Sequence, residues 1–323
     1  MLPYTMLLLT PHPTPRIRYA AEVLGAHTWG QPITVAAPAG LGPNDLPSLW
    51  YGPNPPPSEW AHLPWVWAEG LLTESGIRDL CPQPANTGRW FPWAGATSPK
   101  PLLDFDPLAA AFFVATEYHA YVPQWPKDGH GRTQVSGTPI AQLWARPWLG
   151  LWGAELHAAL LAVGLGVPRF SPAAEPVWHL TLDIDHPWQF RHRPHWRNAA
   201  GCLRDGLRGN WTAAAWRAHV AWGSRPDPHE TFRWLQERFG PDRLMAFVLL
   251  SNQHPRDSRF APQHPALAAL LRQWLASSWA LGLHPSYDST TVPGRLATEV
   301  QLFDQLTGFA PLHSRQHYLR WQL

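Results

Sequence analysis

Apolar positions recur at helical spacing in three stretches of the second half of the chain. After His229, Phe232, Leu235 and Phe239 share a face before Gly240. After His264, Leu267, Leu270, Leu271, Trp274 and Ser278 do so. After Pro293, Leu296, Val300, Phe303 and Leu306 form a stripe closed by Gly308. A proline near the start and a glycine past the end are start and stop signals for helices. Short apolar runs predict strands at about 177–184, 244–250, 281–284 and 311–315, and a basic, partly helical stretch follows from Phe190 to Arg208. Alternating strands and helices predict a parallel sheet with helical crossovers.

The first 172 residues read differently. Segments such as "GPNPPPSEW" and "CPQPANTGRWFPW" are loop signals. Two helical patterns stand out, one from Asp106 ("DPLAAAFFVATEYHAYV") and one from Ala141, which Pro147 should break or kink. The polar loop "KDGHGRTQVSG" separates them, and "PRFSPAAEP" at 168–176 is the linker candidate. Two domains are expected, 1–172 and 173–323.

A hydrophobic fraction of 45% with 12% aromatics belongs to a globular protein. The formal net charge of +2 gives no global case for nucleic acid. Two cysteines, Cys81 and Cys202, make neither a disulfide framework nor a cysteine zinc site. The start lacks the basic region and cleavage site of a signal peptide, and no run approaches the ~20 apolar residues that span a bilayer. A cytoplasmic protein without a membrane span is expected. With 17 histidines, His spacing alone is weak evidence for a metal, and the 21 tryptophans read first as core fillers.

Chemistry in parallel α/β folds gathers at the carboxyl ends of strands. Three polar clusters fall there, "TLDID", "GLHPSY" and "SRQHY", supplying Asp183, Asp185, His284 and His317. Residues two apart on a strand face the same way, roughly 7 Å apart. Two carboxylates facing one pocket need a positive partner, and a divalent metal held by one carboxylate and two imidazoles would provide it. Each residue also has a plainer reading. The aspartates could cap the next segment or pair with Arg191 or Arg193; His284 could be structural; His313 and His317 could lie on the surface of a short helix.

At these motifs the chain resembles the polysaccharide deacetylase superfamily (NodB homology, carbohydrate esterase family 4-like), in a bacterial branch with an extra N-terminal domain. "TLDID", "GLHPSY" and "SRQHYLR" carry the resemblance, with "DPLAAAFFVATEYHAY" and "DGHGR" matching the upstream domain. It implies an incomplete (β/α) barrel preceded by a smaller mixed α/β domain. It also implies Asp183 as base, Asp185 and His284 as metal ligands, and Arg315 orienting the base. Ile184 separates aspartates that are adjacent in the superfamily, and Asp288 stands where its second histidine would be. The third ligand is therefore assigned by inference to His317, with Asp288 as fallback. The chain stops six residues after His317, so the barrel is expected to be truncated at its C-terminus, with an open sheet edge.

The expected activity is removal of acetyl groups from a carbohydrate, with a metal-bound water as nucleophile. Zinc is the expected metal, with cobalt, manganese or nickel as alternatives. The rival reading is an inactive relative with a binding or assembly role in surface-polysaccharide metabolism. A nucleic-acid surface built from Arg191, Arg193, Arg197, Arg204 and Arg208 is set aside, because that run lacks an aromatic platform and reads as a solvent-facing helix flank.

Overall fold

A computed structural model describes residues 6–39, 46–80, 88–96, 98–138, 140–141, 145–166 and 177–320. The chain divides into two compact units, Met1–Glu175 and Pro176–Leu323. The linker candidate at 168–176 lies outside the described residues. The first unit, expected to be the smaller, is the longer of the two.

The first unit holds a sheet that sequence pattern did not predict. Its strands are β1 (Leu7–Leu9), β2 (Thr34–Ala36), β3 (Ser48–Gly52) and β4 (Trp65–Trp67), paired in parallel in the order β2-β1-β3-β4. β1 and β3 are buried along their whole length. Leu8 and Leu49 face one core cluster, while Leu7, Leu9 and Trp50 face another with Trp60 and Trp65. A strand buried on both faces shows no alternation, so nothing separates it from any short apolar run.

Helix α1 (Pro15–Trp29) crosses from β1 to β2, capped by the Thr14 side chain and ended by Gly30 in the left-handed region. Its buried face of Ile17, Ala20, Ala21, Leu24 and Thr28 has helical spacing. Helix α2 (Pro107–Ala115) starts at Asp106, as its pattern predicts, and is buried from Pro107 to Phe113. It stops at Ala115 instead of running on to Val122, because Glu117 takes a positive φ and a 3-10 turn, Tyr118–Tyr121, follows. Of the break or kink expected at Pro147, the break is what occurs, since the helix begins only after it. The proline stands at the start of α3 (Trp148–Ala162), where its missing N–H costs nothing.

The second unit is built on β5 (Leu180–Ile184), β6 (Leu244–Leu249) and β7 (Ala280–His284), parallel and in the order β5-β6-β7. The crossovers carry α4 (His195–Leu207), α5 (Trp211–Ala221), α6 (Phe232–Phe239) and α7 (Pro265–Ala276), and α8 (Arg295–Thr307) follows β7. Helix α7 buries Leu267, Leu270, Leu271 and Trp274 against the sheet, the face its periodicity marks. On α8 the stripe is only partly covered, with Phe303 buried and Leu296 exposed.

The fourth strand expected at 311–315 is reduced to one parallel bridge between Leu283 and Ser314. Three ladder bonds still dock this segment on β7: Leu283 N–H to His313 O (2.9 Å), Arg315 N–H to Leu283 O (3.0 Å) and His317 N–H to Pro285 O (3.0 Å). Gly282 permits the approach, since a Cβ there would lie 2.7 Å from the Phe247 ring and 2.9 Å from His313 O. Among the described residues the sheet does not close into a barrel.

Candidate metal centre

β5 delivers Asp185 one residue past its end, β7 delivers His284 as its last residue, and the docked segment delivers His317. One ligand atom from each lies within 4.8 Å of the others. His317 Nδ1 is 2.9 Å from His284 Nε2. Asp185 Oδ1 is 3.3 Å from His284 Nε2 and 3.6 Å from His317 Nδ1. Both imidazoles are buried, and the carboxylate is partly exposed.

The outer nitrogens decide what the inner ones present. His284 Nδ1 meets the carbonyl of Arg315, and His317 Nε2 meets the carbonyl of Arg256 at 3.0 Å. Carbonyls only accept, so both outer nitrogens carry a proton, and in the neutral rings both inner nitrogens turn lone pairs inward. Asp185 Oδ1 is buried without a hydrogen-bond partner in this tautomer, and His284 Nε2 lies 3.3 Å from it. Burial pushes the Asp185 carboxyl up, but the adjoining His284 and His317 outweigh it and hold the group below its ordinary value. Facing lone pairs repel unless a proton or cation sits between them. Metal bonds of ~2.0–2.1 Å in tetrahedral geometry put ligand atoms roughly 3.3 Å apart. The three separations bracket that spacing, so the donor set fits a zinc-sized ion.

A second layer fixes the loop after β7. Asp257 accepts the Tyr287 N–H (2.9 Å), the Ser251 hydroxyl (2.8 Å) and the His254 N–H (3.2 Å). Glu299, buried on α8, accepts the Ser286 N–H at 2.9 Å. Burial, with the Asp257 charge nearby, pushes the Glu299 carboxyl up despite that contact. The Gln316 amide donates to Ser286 O at 2.8 Å, tying this loop to the residue before His317. Tyr318 and Leu319 both take positive φ directly after His317, a strained conformation of the kind that clusters at functional sites.

Asp183 and Arg315 form a separate pair beside the triad. Arg315 donates to Asp183 Oδ1 (3.0 Å) and Thr181 Oγ1 (2.7 Å) and lies over the Phe247 ring, 4.5 Å from its centroid. Its backbone carbonyl meanwhile orients His284, so one residue serves both groups. Asp288, the fallback ligand, is not in the triad and pairs with Arg320 at 3.5 Å. Neither Arg191 nor Arg193 pairs with Asp183 or Asp185; Arg191 pairs with Glu230 at 2.7 Å. Sequence reading missed Asp257, Glu299 and the Arg256 carbonyl. The first two read as ordinary polar positions, and a carbonyl carries no residue-type signal.

Against known families, residues 6–163 match a family of unknown function (DUF7033). No curated protein matches the chain, and no solved structure does. The resemblance to polysaccharide deacetylases is corrected by this result. The matched family is one of unknown function, it covers the first unit, and no deacetylase family matches. Three motifs of five to seven residues at strand ends were too short to carry family membership. The roles of the second unit's residues therefore stand on geometry alone. No helix among the described residues is long and apolar enough to cross a membrane.

Proposed function

We propose that the second unit is a divalent-metal centre that hydrolyses an amide or ester bond, with Asp185, His284 and His317 as its protein ligands. One observation carries this reading: three inward donor atoms 2.9–3.6 Å apart, with both imidazole tautomers fixed by backbone carbonyls. Three protein ligands leave a coordination position open, as catalytic zinc sites require. When bound, such an ion polarises a carbonyl oxygen and lowers the pKa of water at its open position. Zinc suits two imidazoles and a carboxylate best, and cobalt, manganese and nickel accept the same set.

In this reading Asp183 is the proton acceptor. It lies two residues from Asp185 along an extended run, on the same face, and Arg315 holds it in place. The substrate presents its carbonyl at the open edge of the sheet, where the side chains of Asp183 and Asp185 are both partly solvent-accessible. An acetylated carbohydrate is one substrate class to test, together with simple aryl esters. A cytoplasmic setting is part of the proposal. The free Cys202 needs no oxidising environment.

Elemental analysis of purified protein after zinc loading and dialysis tests the reading. About one zinc per chain is expected, lost in Asp185→Asn and His284→Ala and kept in Asp183→Asn. Acetate release from acetylated chitooligosaccharides and xylan, and p-nitrophenyl acetate hydrolysis, should fall at least a hundredfold in Asp183→Asn. Wild-type protein that holds no zinc ends the metal reading. Zinc without turnover leaves a metal-dependent binding protein.

A further inference from the structure

A cavity of about 840 Å³ opens among the turn after β5, the first turn of α4, the end of α5 and the loop after β6. Arg191, Arg193, Arg197, Arg259, His192 and His264 line it, and no aspartate or glutamate does. The arginine run expected to face solvent is thus divided. Its first three members line the cavity, while Arg204 pairs with Asp205 elsewhere on α4.

The cationic lining is only partly neutralised, by the pair of Arg191 with Glu230 at 2.7 Å. Arg193 and Arg259 make no hydrogen bond or ion pair with any described residue, and Arg197 only leans on the Trp196 ring, 5.2 Å from its centroid. The nearby carboxylate, Asp227, is buried. Its oxygens are taken by the N–H groups of Gln189, Phe190, Arg191 and His229 at 2.8–3.0 Å. That bonding shapes the turn bearing the arginines, and His192 in it takes a positive φ. Burial, then Arg217, Arg259 and Arg197, hold the Arg193 guanidinium below its ordinary value against the opposing charge of Asp227. Crowding like charges in a half-buried concavity is costly unless an anion is bound there.

The cavity lies along the same sheet edge as the metal centre. His186 follows Asp185 directly and contacts Ser258 Oγ at 3.2 Å, the residue before the cavity-lining Arg259. The loop that lends the Arg256 carbonyl to His317 also carries Arg259 into the cavity.

We infer that this cavity binds the phosphate group of a small molecule, and that the rest of the molecule reaches the Asp185/His284/His317 centre. The second clause rests on the metal reading; the phosphate site does not. Several forked guanidinium groups match the geometry and charge of a phosphate dianion better than that of a single carboxylate.

The test is calorimetric titration of inorganic phosphate into the full chain at low ionic strength. The protein is first stripped of metal with a chelator that is then dialysed away, so that phosphate cannot bind through a metal. Saturable binding is expected, at least tenfold weaker in Arg193→Ala and in Arg259→Ala. Arg259→Lys should lie between, and Arg233→Ala on α6, which removes one exposed charge elsewhere, should match wild type. Absence of binding to the stripped protein overturns the inference. So does an equal loss in Arg233→Ala, which would mean net charge alone is responsible. A single-stranded 20-mer binding a hundredfold more tightly than phosphate, with the same dependence on Arg193 and Arg259, overturns it in favour of a nucleic-acid backbone. Phosphate binding to stripped protein, with zinc absent from loaded protein, would fell the metal reading and leave the phosphate site standing.

Discussion

Each unit places a carboxylate among buried neighbours near the end of a parallel sheet, and the two are finished differently. Asp106, fully buried, accepts the Leu108 and Ala109 N–H groups on one oxygen and the Tyr51 hydroxyl and Glu69 N–H on the other. It caps α2 and ties that helix to β3 and to the segment after β4. Asp185 has an oxygen that accepts nothing and faces two ring nitrogens whose own protons point away. The first arrangement is closed and holds the fold together. The second is open, with one oxygen left unsatisfied. Burial of a carboxylate does not by itself mark a site; incomplete satisfaction does.

Removing each carboxylate should separate the two roles. Asp106→Ala leaves four donors without an acceptor in the interior, at about 1–3 kcal/mol each with partial rescue by water. The first unit should lose about 3 kcal/mol or more, read from urea unfolding. Asp185→Ala should leave the metal-free protein within about 1 kcal/mol of wild type, since its carboxylate is partly exposed. It should, however, abolish stabilisation by zinc, which for wild type reaches about 2.7 kcal/mol at a hundred times the dissociation constant. The contrast between the two sites collapses if Asp106→Ala is as stable as wild type, or if Asp185→Ala is destabilised as much as Asp106→Ala without metal.

A smaller effect sharpens the view of the open site. Asp257 accepts three donors with two oxygens, and an amide can match only part of that set. Asp257→Asn should loosen the Ser286–Tyr287 turn that follows His284 and weaken zinc binding 10–100-fold, as outer-shell changes do. Competition against a chromogenic chelator measures this. Unchanged affinity would mean the ladder bonds to the 313–317 segment hold His284 unaided.

The second unit was largely legible because its elements have periods. The stripe on α7 and the runs of β6 and β7 announce themselves, and the strand-end clusters contain all three triad residues. The first unit was not. β1, β2 and β4 are three residues long, and α1 begins in a proline-rich opening where Thr14 and Pro15 read as loop, though they are a cap and a first helical residue. Within the site, the chain pattern locates the three triad residues but not what orients them. The carbonyls of Arg256 and Arg315 could come from any residue. The pairing of Arg193 with Arg259 across one cavity joins positions 66 apart in sequence, on loops whose closeness only the strand order reveals.

The smallest expected effect is one of slope, inside the closed first unit. Burial acts there on an acid and a base in opposite senses. Asp106 is raised to about 6 by burial, despite the N–H groups and the Tyr51 hydroxyl it accepts, and His119 is lowered to about 4 by burial. For Asp106, the folded protein holds its proton more tightly than the unfolded chain. Its contribution is complete below the ordinary value of 3.8 and is lost as pH rises to about 6. For His119, the folded protein disfavours the proton. Its contribution is complete above 6.5 and is lost as pH falls towards about 4. The two slopes oppose each other over nearly the same window, so wild-type stability from this pair should be close to level between pH 4 and 6. A phenyl ring keeps the aromatic contacts of His119, whose ring centroid lies 5.3 Å from Trp125 and 6.1 Å from Phe113. In His119→Phe the Asp106 slope should stand alone. Urea midpoints of the variant should fall relative to wild type as pH rises from 4 to 6, with the gap levelling off above 6.5. All other titrating groups are common to both proteins and cancel in the difference. Parallel curves for the two proteins would show that His119 ionises in the folded state as freely as in the unfolded one, and that burial in this unit acts on Asp106 alone.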